Sequence, residues 1–214
     1  MVRRKFVWGI LALAALLLVG CGWQTPGGVQ PATVPPVQLT RAPVALTPSA
    51  PANLRCAAQA SLTPEVTEGP YFKSGSPERA SLLDAGISGT QLVLSGFVFA
   101  PDCKPISHAL LDFWQADSKG NYDNAGYTLR GHQFTDAAGR YQLTTVVPGL
   151  YPGRTEHIHV KAQAPNGPLL TTQLYFPGVT ENAGDSFFDA RLLQNVQNAP
   201  NGLAASFDFV VAAR

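Results

Sequence analysis

Short apolar segments, each ended by glycine, proline or asparagine, dominate the chain from residue 91 onward. The first, 91-QLVLSGFVFA-100, stops at Pro101-Asp102, and 140-RYQLTTVV-147 alternates apolar and polar residues before Pro148-Gly149. This pattern is typical of β-strands, because successive side chains of a strand point to opposite faces and turn residues end it. Similar segments lie at 106–117, 155–164, 170–176 and 203–213.

The fold that this pattern predicts is all-β, a sandwich of two antiparallel sheets with long irregular loops. Only 186-SFFDARLLQNV-196 could form a short helix. The composition agrees, since 20 Gly and 18 Pro favour turns and only 14% of residues are charged. The chain shows no repeat, coiled coil or nucleotide-binding loop, and its net charge of +1 gives no reason to expect a nucleic-acid partner.

The first 20 residues have the features of an export signal. Basic residues at 3–5 precede an apolar run at 6–19, which is shorter than the ~20 residues of a membrane-spanning helix, and LVGC follows. This arrangement is similar to a bacterial lipoprotein signal, in which cleavage precedes a cysteine that is then lipidated. We therefore expect a signal peptide at 1–20 and a lipid on Cys21, which would anchor the exported protein to the outside of a bacterial membrane. An ordinary secretion signal or an uncleaved anchor helix is the alternative.

Residues 21–52 form a tether in this interpretation. The segment 22–52 carries seven prolines and one charge, so it cannot bury a core and is expected to be extended and disordered. The folded domain is then expected at 53–214. Its two cysteines, Cys56 and Cys103, form a reasonable disulfide pair in an exported protein, and a metal pair is the weaker interpretation because no CxxC spacing exists.

The segment 151-YPGRTEHIHV-160 holds two of the four histidines of the chain. On a strand, His157 and His159 share one face with Cα atoms roughly 6.5–7 Å apart, which allows both imidazoles to reach one metal ion. Ile158 and Val160 then face the core. Zinc and Fe(II) sites need a further histidine, cysteine or carboxylate nearby, and Glu156 points away from the histidines.

Two tyrosines lie near the histidines instead. Tyr151 is on the approach turn, and Tyr122 is in the Gly/Asn-rich loop 118-SKGNYDNAGY-127. Two phenolates with two imidazoles make a hard, anionic ligand set that suits a trivalent ion.

Five segments together resemble the intradiol ring-cleavage dioxygenases, in particular the small secreted type. They are 68-EGPY-71, 112-DFWQADSKGNY-122, 129-LRGHQFTDAAGRYQL-143, 148-PGLYPGRTEHIHV-160 and 173-QLYFPG-178. The resemblance covers about Cys56 to the C-terminus. It implies a prealbumin-like β-sandwich with one mononuclear non-haem Fe(III) per chain. The implied reaction is cleavage of a catechol-type diol by O₂, between the hydroxylated carbons, to a cis,cis-muconate-type diacid.

The resemblance also implies roles for individual residues. The implied iron ligands are Tyr122, Tyr151, His157 and His159. The implied catalytic residues are Tyr151, which would leave the iron and take a catechol proton, Arg154 beside the substrate ring, and Gln173 near the ligands. The implied substrate-binding residues are Gly69, Pro70 and Tyr71.

The chain departs from the oligomeric catechol and protocatechuate enzymes in two ways. The stretch between Tyr151 and Arg154 is much shorter, and the long helical N-terminal dimerisation region is missing. Both departures favour the secreted subtype, and we expect a monomer.

Two other interpretations remain open at this stage. The segment 135-TDAAGRYQLTTVVPGLY-151 also resembles non-catalytic prealbumin-like modules of surface proteins, which lack the HxH. A degenerate relative could bind iron or aromatic compounds without turnover. The presence of HIH and Tyr122 in addition to that framework favours the enzyme.

The sequence does not identify the catechol. The loops 72–86 and 123–131 are expected to decide it, and Arg79 or Arg130 could meet a substrate carboxylate. We expect His108 and His132 to be structural or exposed, and Trp114 and Tyr141 to lie in the core.

Overall fold

The computed structural model describes Cys56 and residues 61–213. The predicted signal at 1–20, the lipidated Cys21, the linker at 21–52 and the domain boundary lie outside the described residues. Within the described part of the chain, no helix is long and apolar enough to cross a membrane.

Nine strands make up the described fold. They are β1 (Gln91–Phe99), β2 (Leu110–Trp114), β3 (Arg130–Phe134), β4 (Arg140–Val146), β5 (His157–Gln163), β6 (Leu169–Tyr175), β7 (Asn195–Ala199), β8 (Gly202–Ser206) and β9 (Phe209–Val210). Two short 3₁₀ helices, Thr180–Gly184 and Ala190–Leu192, follow β6. The predicted all-β class is confirmed.

The strands form two sheets. The four-stranded sheet has the order β3-β2-β5-β6 and is antiparallel throughout. The five-stranded sheet has the order β4-β1-β8-β7, with β9 beside β1. Here β1 runs parallel to β8 and β9, because the β7–β8 hairpin inserts β8 next to the first strand. The predicted two-sheet sandwich is confirmed, with this local exception to antiparallel pairing.

Three segments differ from the expected secondary structure. In 186–196, Asp189 accepts a hydrogen bond from the backbone of Arg191 and caps a single 3₁₀ turn, and the chain then enters β7. The segment 203–213 is two strands rather than one, because Asp208 leaves the ladder to accept a hydrogen bond from the backbone of Phe97. The third segment, 130–134, forms strand β3, which the sequence analysis had not identified.

The core lies between the sheets. It contains buried apolar side chains from both, among them Leu92, Leu94, Leu111, Phe113, Leu143, Ile158, Val160 and Leu174. Tyr141 is also in this core, and its hydroxyl donates to the carbonyl oxygen of Phe207 at 2.8 Å.

Residues 64–77, here called the covering segment, cross the outer face of the four-stranded sheet. Val66 N–H donates to the Thr171 carbonyl oxygen at 2.9 Å, and the Gln173 side chain donates to that of Thr67 at 2.8 Å. At the far end, the Ser76 hydroxyl donates to Asp112 at 2.8 Å. The outer face of this sheet is therefore shielded from water around His157, His159 and Gln173, which are buried.

Cys56 and Cys103 form a disulfide with a Cα–Cα distance of 5.6 Å. The bond joins the start of the domain to the turn that follows β1, as the sequence analysis expected.

Candidate active site

Strand β5 places two histidines on the covered face of the four-stranded sheet. His157 and His159 are buried, and their Nε2 atoms lie 3.0 Å apart. Ile158 and Val160, one residue out of phase, are buried in the core on the opposite face. The alternation of the strand thus brings both imidazoles to one point.

A backbone carbonyl fixes the orientation of His157. Its Nδ1 lies 2.6 Å from the Thr155 carbonyl oxygen, which can only accept, so Nδ1 carries the proton and Nε2 has a free lone pair. Burial lowers the pKa of His157 to about 4. Burial and the adjacent His157 lower the pKa of His159 well below its usual range. Both rings are neutral at pH 7, which is the form that binds metals.

Two neighbours restrict the ring of His159. Trp114 stacks on it with ring centroids 4.7 Å apart, and a Cβ on Gly69 would lie 3.2 Å from its Cε1 atom. Trp114 is buried as expected, but on the site face rather than in the sandwich core, because it is out of phase with Leu111 and Phe113. A side chain at position 69 would therefore press on this ring and would also strain the backbone, whose φ is +71°.

Three tyrosines gather beside the histidines. The Tyr122 hydroxyl lies 3.3 Å from Nε2 of His157. The Tyr71 ring stacks on Tyr122 with centroids 4.5 Å apart, and its hydroxyl is 2.8 Å from that of Tyr151. Burial raises the pKa of Tyr122, and the hydrogen bond with Tyr151 raises that of Tyr71. Ionising Tyr122 at neutral pH thus requires a cation close to its oxygen.

A close backbone contact brings the loops of Tyr122 and Tyr151 together. Gly120 has a φ of +82°, and a Cβ there would lie 2.0 Å from the Leu150 carbonyl oxygen. The two tyrosine rings are 5.9 Å apart as a result. The glycine in SKGNY thus has a packing reason that the sequence alone did not reveal.

The chain directly after Tyr122 is held by Asp123. Its carboxylate accepts from the backbone N–H groups of Gly126, Thr128 and Ala125, which holds its pKa far below the usual range. Arg130 donates to the carbonyl oxygens of Asp123 and Tyr71. The buried guanidinium thereby joins the Tyr122 loop to the covering segment, in which Pro70 is exposed.

Arg154 is fixed beside the tyrosines by three contacts. Its Nε donates to Asp185 at 2.8 Å, its Nη2 donates to Gln173 at 2.5 Å, and its guanidinium carbon lies 4.8 Å from the centre of the Phe187 ring. Gln173 is held in turn by its bond to Thr67. The structure thus places Arg154 and Gln173 in one hydrogen-bonded group.

The sequence analysis missed Asp185. Its side chain is 1% exposed, and the oxygen that accepts from Arg154 also accepts from the Thr155 backbone at 3.0 Å. Because Thr155 orients His157, one carboxylate positions both the arginine and the histidine. Asp185 lies 31 residues beyond Arg154, in the loop 183-AGDSFF-188, and a single acid in that loop was the only signal.

The expectation that Arg79 or Arg130 meets a substrate carboxylate is wrong. Arg79 forms an ion pair with Asp84 at 2.7 Å and donates to the carbonyl oxygens of Arg130 and Tyr127. The donors of Arg130 are directed at main-chain oxygens. His108 is exposed and stacks on Phe134, as expected for a histidine without a role in the site.

A cleft of about 470 Å³ opens beside Tyr151 and Arg154. Its other lining residues are Leu150, Pro152, Gly153, Glu181, Gly184 and Asp185. This volume falls within the ~300–1,000 Å³ of small-molecule sites. The cleft gives a small molecule access to Tyr151.

The donor atoms fit a metal ion of the kind that the resemblance implies. Two nitrogen ligands at the usual ~2.1 Å from one metal ion, at a right angle, are about 3 Å apart, and the two Nε2 atoms are 3.0 Å apart. In the described residues, no three His, Cys, Asp or Glu side chains lie close enough to share an ion. The remaining ligands would therefore be tyrosine oxygens, whose ionised form favours a highly charged ion such as Fe(III).

Comparisons with known proteins agree with this site. A family model described as Dioxygenase matches residues 67–213. Catechol 1,2-dioxygenase 2 of Acinetobacter lwoffii is 34% identical over 142 residues, which cover 54% of this chain and 52% of the relative. The protocatechuate 3,4-dioxygenase beta chain of Burkholderia cepacia is 29% identical, over 59% of this chain and 65% of the relative. The chain thus spans about half to two thirds of the length of these curated relatives.

A solved structure is more similar in sequence. The dioxygenase domain of a dioxygenase carbohydrate-binding protein fusion from Streptomyces sp. SirexAA-E is 56% identical, with a TM-score of 0.70. The match covers 72% of this chain and 100% of that domain. On the family match, the relatives and the arrangement of the site, the chain belongs to the intradiol ring-cleavage dioxygenases.

Proposed function

We propose that this chain is an Fe(III)-dependent intradiol dioxygenase, which cleaves the ring of a catechol-type diol with O₂ and yields a cis,cis-muconate-type diacid. The observation that carries the proposal is the meeting of two neutral imidazoles with Tyr122 and Tyr151 in a covered site. The reaction balances without another reactant. The carbon–carbon bond between the hydroxylated carbons breaks, and both atoms of O₂ enter the diacid.

The four residues that would hold one iron ion are His157, His159, Tyr122 and Tyr151. When bound, Fe(III) would supply a Lewis acid that takes up the diol oxygens and makes the ring reactive toward O₂. The positive charge of the ion would also stabilise the ionised oxygen of Tyr122, whose pKa is raised by burial.

We assign proton transfer to Tyr151. The diol must lose its protons on binding, and the phenolate oxygen of Tyr151, at the edge of the cleft, is placed to accept one. The Tyr71 hydroxyl, 2.8 Å from that oxygen, would hydrogen-bond to it before and after the transfer. Tyr122, which stacks on Tyr71 and lies 3.3 Å from Nε2 of His157, would stay in place.

Arg154 would stabilise the negative charge that develops on the substrate. Its side chain is 14% exposed, and its bonds to Asp185 and Gln173 keep the guanidinium from rotating. A fixed cation in a site shielded from water stabilises a developing anion strongly, because no solvent must reorganise.

Visible absorption of the iron-loaded protein tests the ligand set, and O₂ uptake with catechol tests the activity. Tyrosine oxygens bound to Fe(III) are expected to give a burgundy colour, which Tyr122→Phe should weaken. A colourless protein with one zinc per chain would contradict the proposal. O₂ uptake should be lost in Tyr151→Phe, and Tyr141→Phe in the core is the matched control.

We also propose that the protein is exported and lipid-anchored at Cys21. The signal-like residues 1–20 and the Cys56–Cys103 disulfide support this, since disulfides persist in oxidising compartments. The full chain expressed in a bacterium should partition into a detergent phase, and Cys21→Ser should remain in the aqueous phase. Equal partitioning of the two proteins would contradict the anchor.

A further inference from the structure

The cleft beside Tyr151 and Arg154 is larger than a single diol ring needs. Its volume of about 470 Å³ leaves room for a ring substituent. Leu150, which is 45% exposed, and Pro152 provide apolar contact on one side of the opening. The charges of the remaining lining residues therefore influence which substituent the substrate ring can carry.

Arg154 is the cation among the described residues that line the cleft, and its charge is already compensated. Its Nε lies 2.8 Å from the carboxylate of Asp185, which is 1% exposed and so cannot exchange the arginine for water. A second anion arriving with the substrate would find an arginine that is half of a buried ion pair. Because Arg154 is paired with Asp185 and is assigned to the charge that develops on the ring, it is not available to a carboxylate on a substituent.

Glu181, in contrast, lines the cleft without a cationic partner. It is exposed on the 3₁₀ helix Thr180–Gly184, and its carboxylate accepts a hydrogen bond from the Thr180 hydroxyl at 2.9 Å. No lysine or arginine of the described chain lies within ion-pair distance of it. With Arg154 and Asp185 cancelling each other, the described lining has one net negative charge, which Glu181 supplies.

Other basic residues around the site are also engaged. Arg79 pairs with Asp84, and Lys161 pairs with Glu68 and lies over the ring of Phe72. Arg130 is buried against main-chain oxygens. Among the described residues that line the cleft, an anionic substituent therefore finds no unpaired cation.

We propose that the substrate is an ortho-diol ring bearing a short side chain with a protonated amine, and that Glu181 sets this preference. The inference rests on the proposed function, because it concerns the same cleft. Glu181 attracts the amine at the opening while the diol faces Tyr151. A carboxylate on the same side chain meets Glu181 as a like charge.

Steady-state O₂ uptake with four diols tests the preference. Three have similar side chains, namely 4-(2-aminoethyl)catechol, 4-ethylcatechol and (3,4-dihydroxyphenyl)acetate, and unsubstituted catechol is the reference. We expect kcat/KM to fall in the order amine, ethyl, carboxylate. The amine should exceed the carboxylate by about three- to tenfold at low salt, as is typical of exposed charges. The ratio should approach one near 1 M salt, where screening is strong.

Two variants assign the effect. Glu181→Gln should reduce the amine-to-carboxylate ratio by at least about half. Glu78→Gln removes the same charge from an exposed residue that does not line the cleft, and it should leave the ratio unchanged.

The outcomes separate the substrate class from the function. An iron-loaded enzyme that cleaves catechol but treats amine and carboxylate alike, or prefers the carboxylate, overturns the substrate class and leaves the proposed function standing. A ratio that Glu181→Gln does not change overturns the role of Glu181. Failure to cleave any of the four diols overturns the proposed function, and the substrate class with it.

Discussion

The two sheets bury their side chains in different ways. In β4 of the five-stranded sheet, Arg140 and Gln142 are exposed while Tyr141 and Leu143 are buried. In β5 of the four-stranded sheet, every residue from 157 to 160 is buried, because the covering segment lies on its outer face. The outer face of the five-stranded sheet therefore meets water at these positions, whereas the four-stranded sheet is enclosed on both sides at the end that holds the histidines.

This difference explains where the chemistry lies. A polar group on an uncovered face is satisfied by water, whereas one on a covered face must find a partner in the protein. On the covered face, Gln173, Arg154 and His157 are each bound to a specific acceptor, and their positions are fixed as a result. Enclosure of a polar face thus supplies both neutral imidazoles and a rigid arginine.

Removing a histidine of the covered face should have the largest effect on iron binding and activity. We expect His159→Ala to lower iron content and O₂ uptake by at least about 100-fold, since removing even a supporting residue of a metal site can cost that much. Gln142→Ala, on the exposed face of β4, should stay within about twofold of wild type. Iron analysis and an oxygen electrode measure both. Full iron occupancy in His159→Ala would contradict the ligand assignment.

Two ion pairs with the same Nε–O distance, one buried and one exposed, measure the effect of burial on stability. Arg154 and Asp185 on the covered side and Arg140 and Asp136 on the exposed side both have Nε–O distances of 2.8 Å. Asp185→Asn should lower the free energy of unfolding by about 2–4 kcal/mol, because it leaves a buried arginine unpaired. Asp136→Asn should cost less than about 1 kcal/mol. Urea denaturation measures both values.

The same pair of variants also separates catalysis from stability. Asp185→Asn should reduce kcat about tenfold by loosening Arg154, while the colour of the iron-loaded protein changes little. Equal stability and kcat in the two variants would mean that burial of the pair does not matter.

The pH dependence of the metal-free protein tests the enclosure of His157. The folded ring stays neutral down to about pH 4, whereas the unfolded chain takes up a proton near pH 6.5. The unfolded state therefore binds more protons in this window, and stability falls as the pH falls from 7 to 4, by at most about 3 kcal/mol from this residue. Urea midpoints at several pH values should show a shallower dependence in His157→Gln. An unchanged slope would argue that the ring is open to water.

Alanine substitutions at two glycines should have the smallest effects, and they give the most specific test. Gly69 and Gly86 have φ values of +71° and +87°, so alanine is strained at both. Each substitution should cost about 1 kcal/mol. Only at Gly69 would the new Cβ meet His159, at 3.2 Å, whereas nothing lies within 4 Å at Gly86. Gly69→Ala alone should therefore weaken iron binding, by about tenfold. Equal iron affinities in the two variants would show that the ring of His159 can move aside.

The sequence was informative where local periodicity decides the structure. The HIH alternation predicted which residues of β5 face the core and which meet each other, because a strand has a period of two. The same rule applied to 111-LDFW-114 would have placed Trp114 with the histidines rather than in the core. That signal was present but was not used.

Other features depend on contacts between distant parts of the chain and have no local pattern. Strand β3 has one apolar residue near its end, in RGHQF, and it forms because β2 pairs with it and residues 77–79 bond to its edge. Asp185 is a single acid in a loop, and only the fold brings it to Arg154. The engagement of Arg79 and Arg130 with carbonyl oxygens likewise cannot be read from spacing.

The parallel pairing of β1 with β8 has a consequence for how the domain is made. The hydrogen bond between Phe97 and Asp208 joins residues that are 111 positions apart. The edge of β1 that pairs with β8 therefore stays open until residues near 208 are available. During synthesis, a growing polypeptide would present this open edge to other chains, and slow, late closure is typical of such long-range topology. Under the export that we propose, passage through a membrane in an unfolded state would let the whole domain emerge before the sheet is completed.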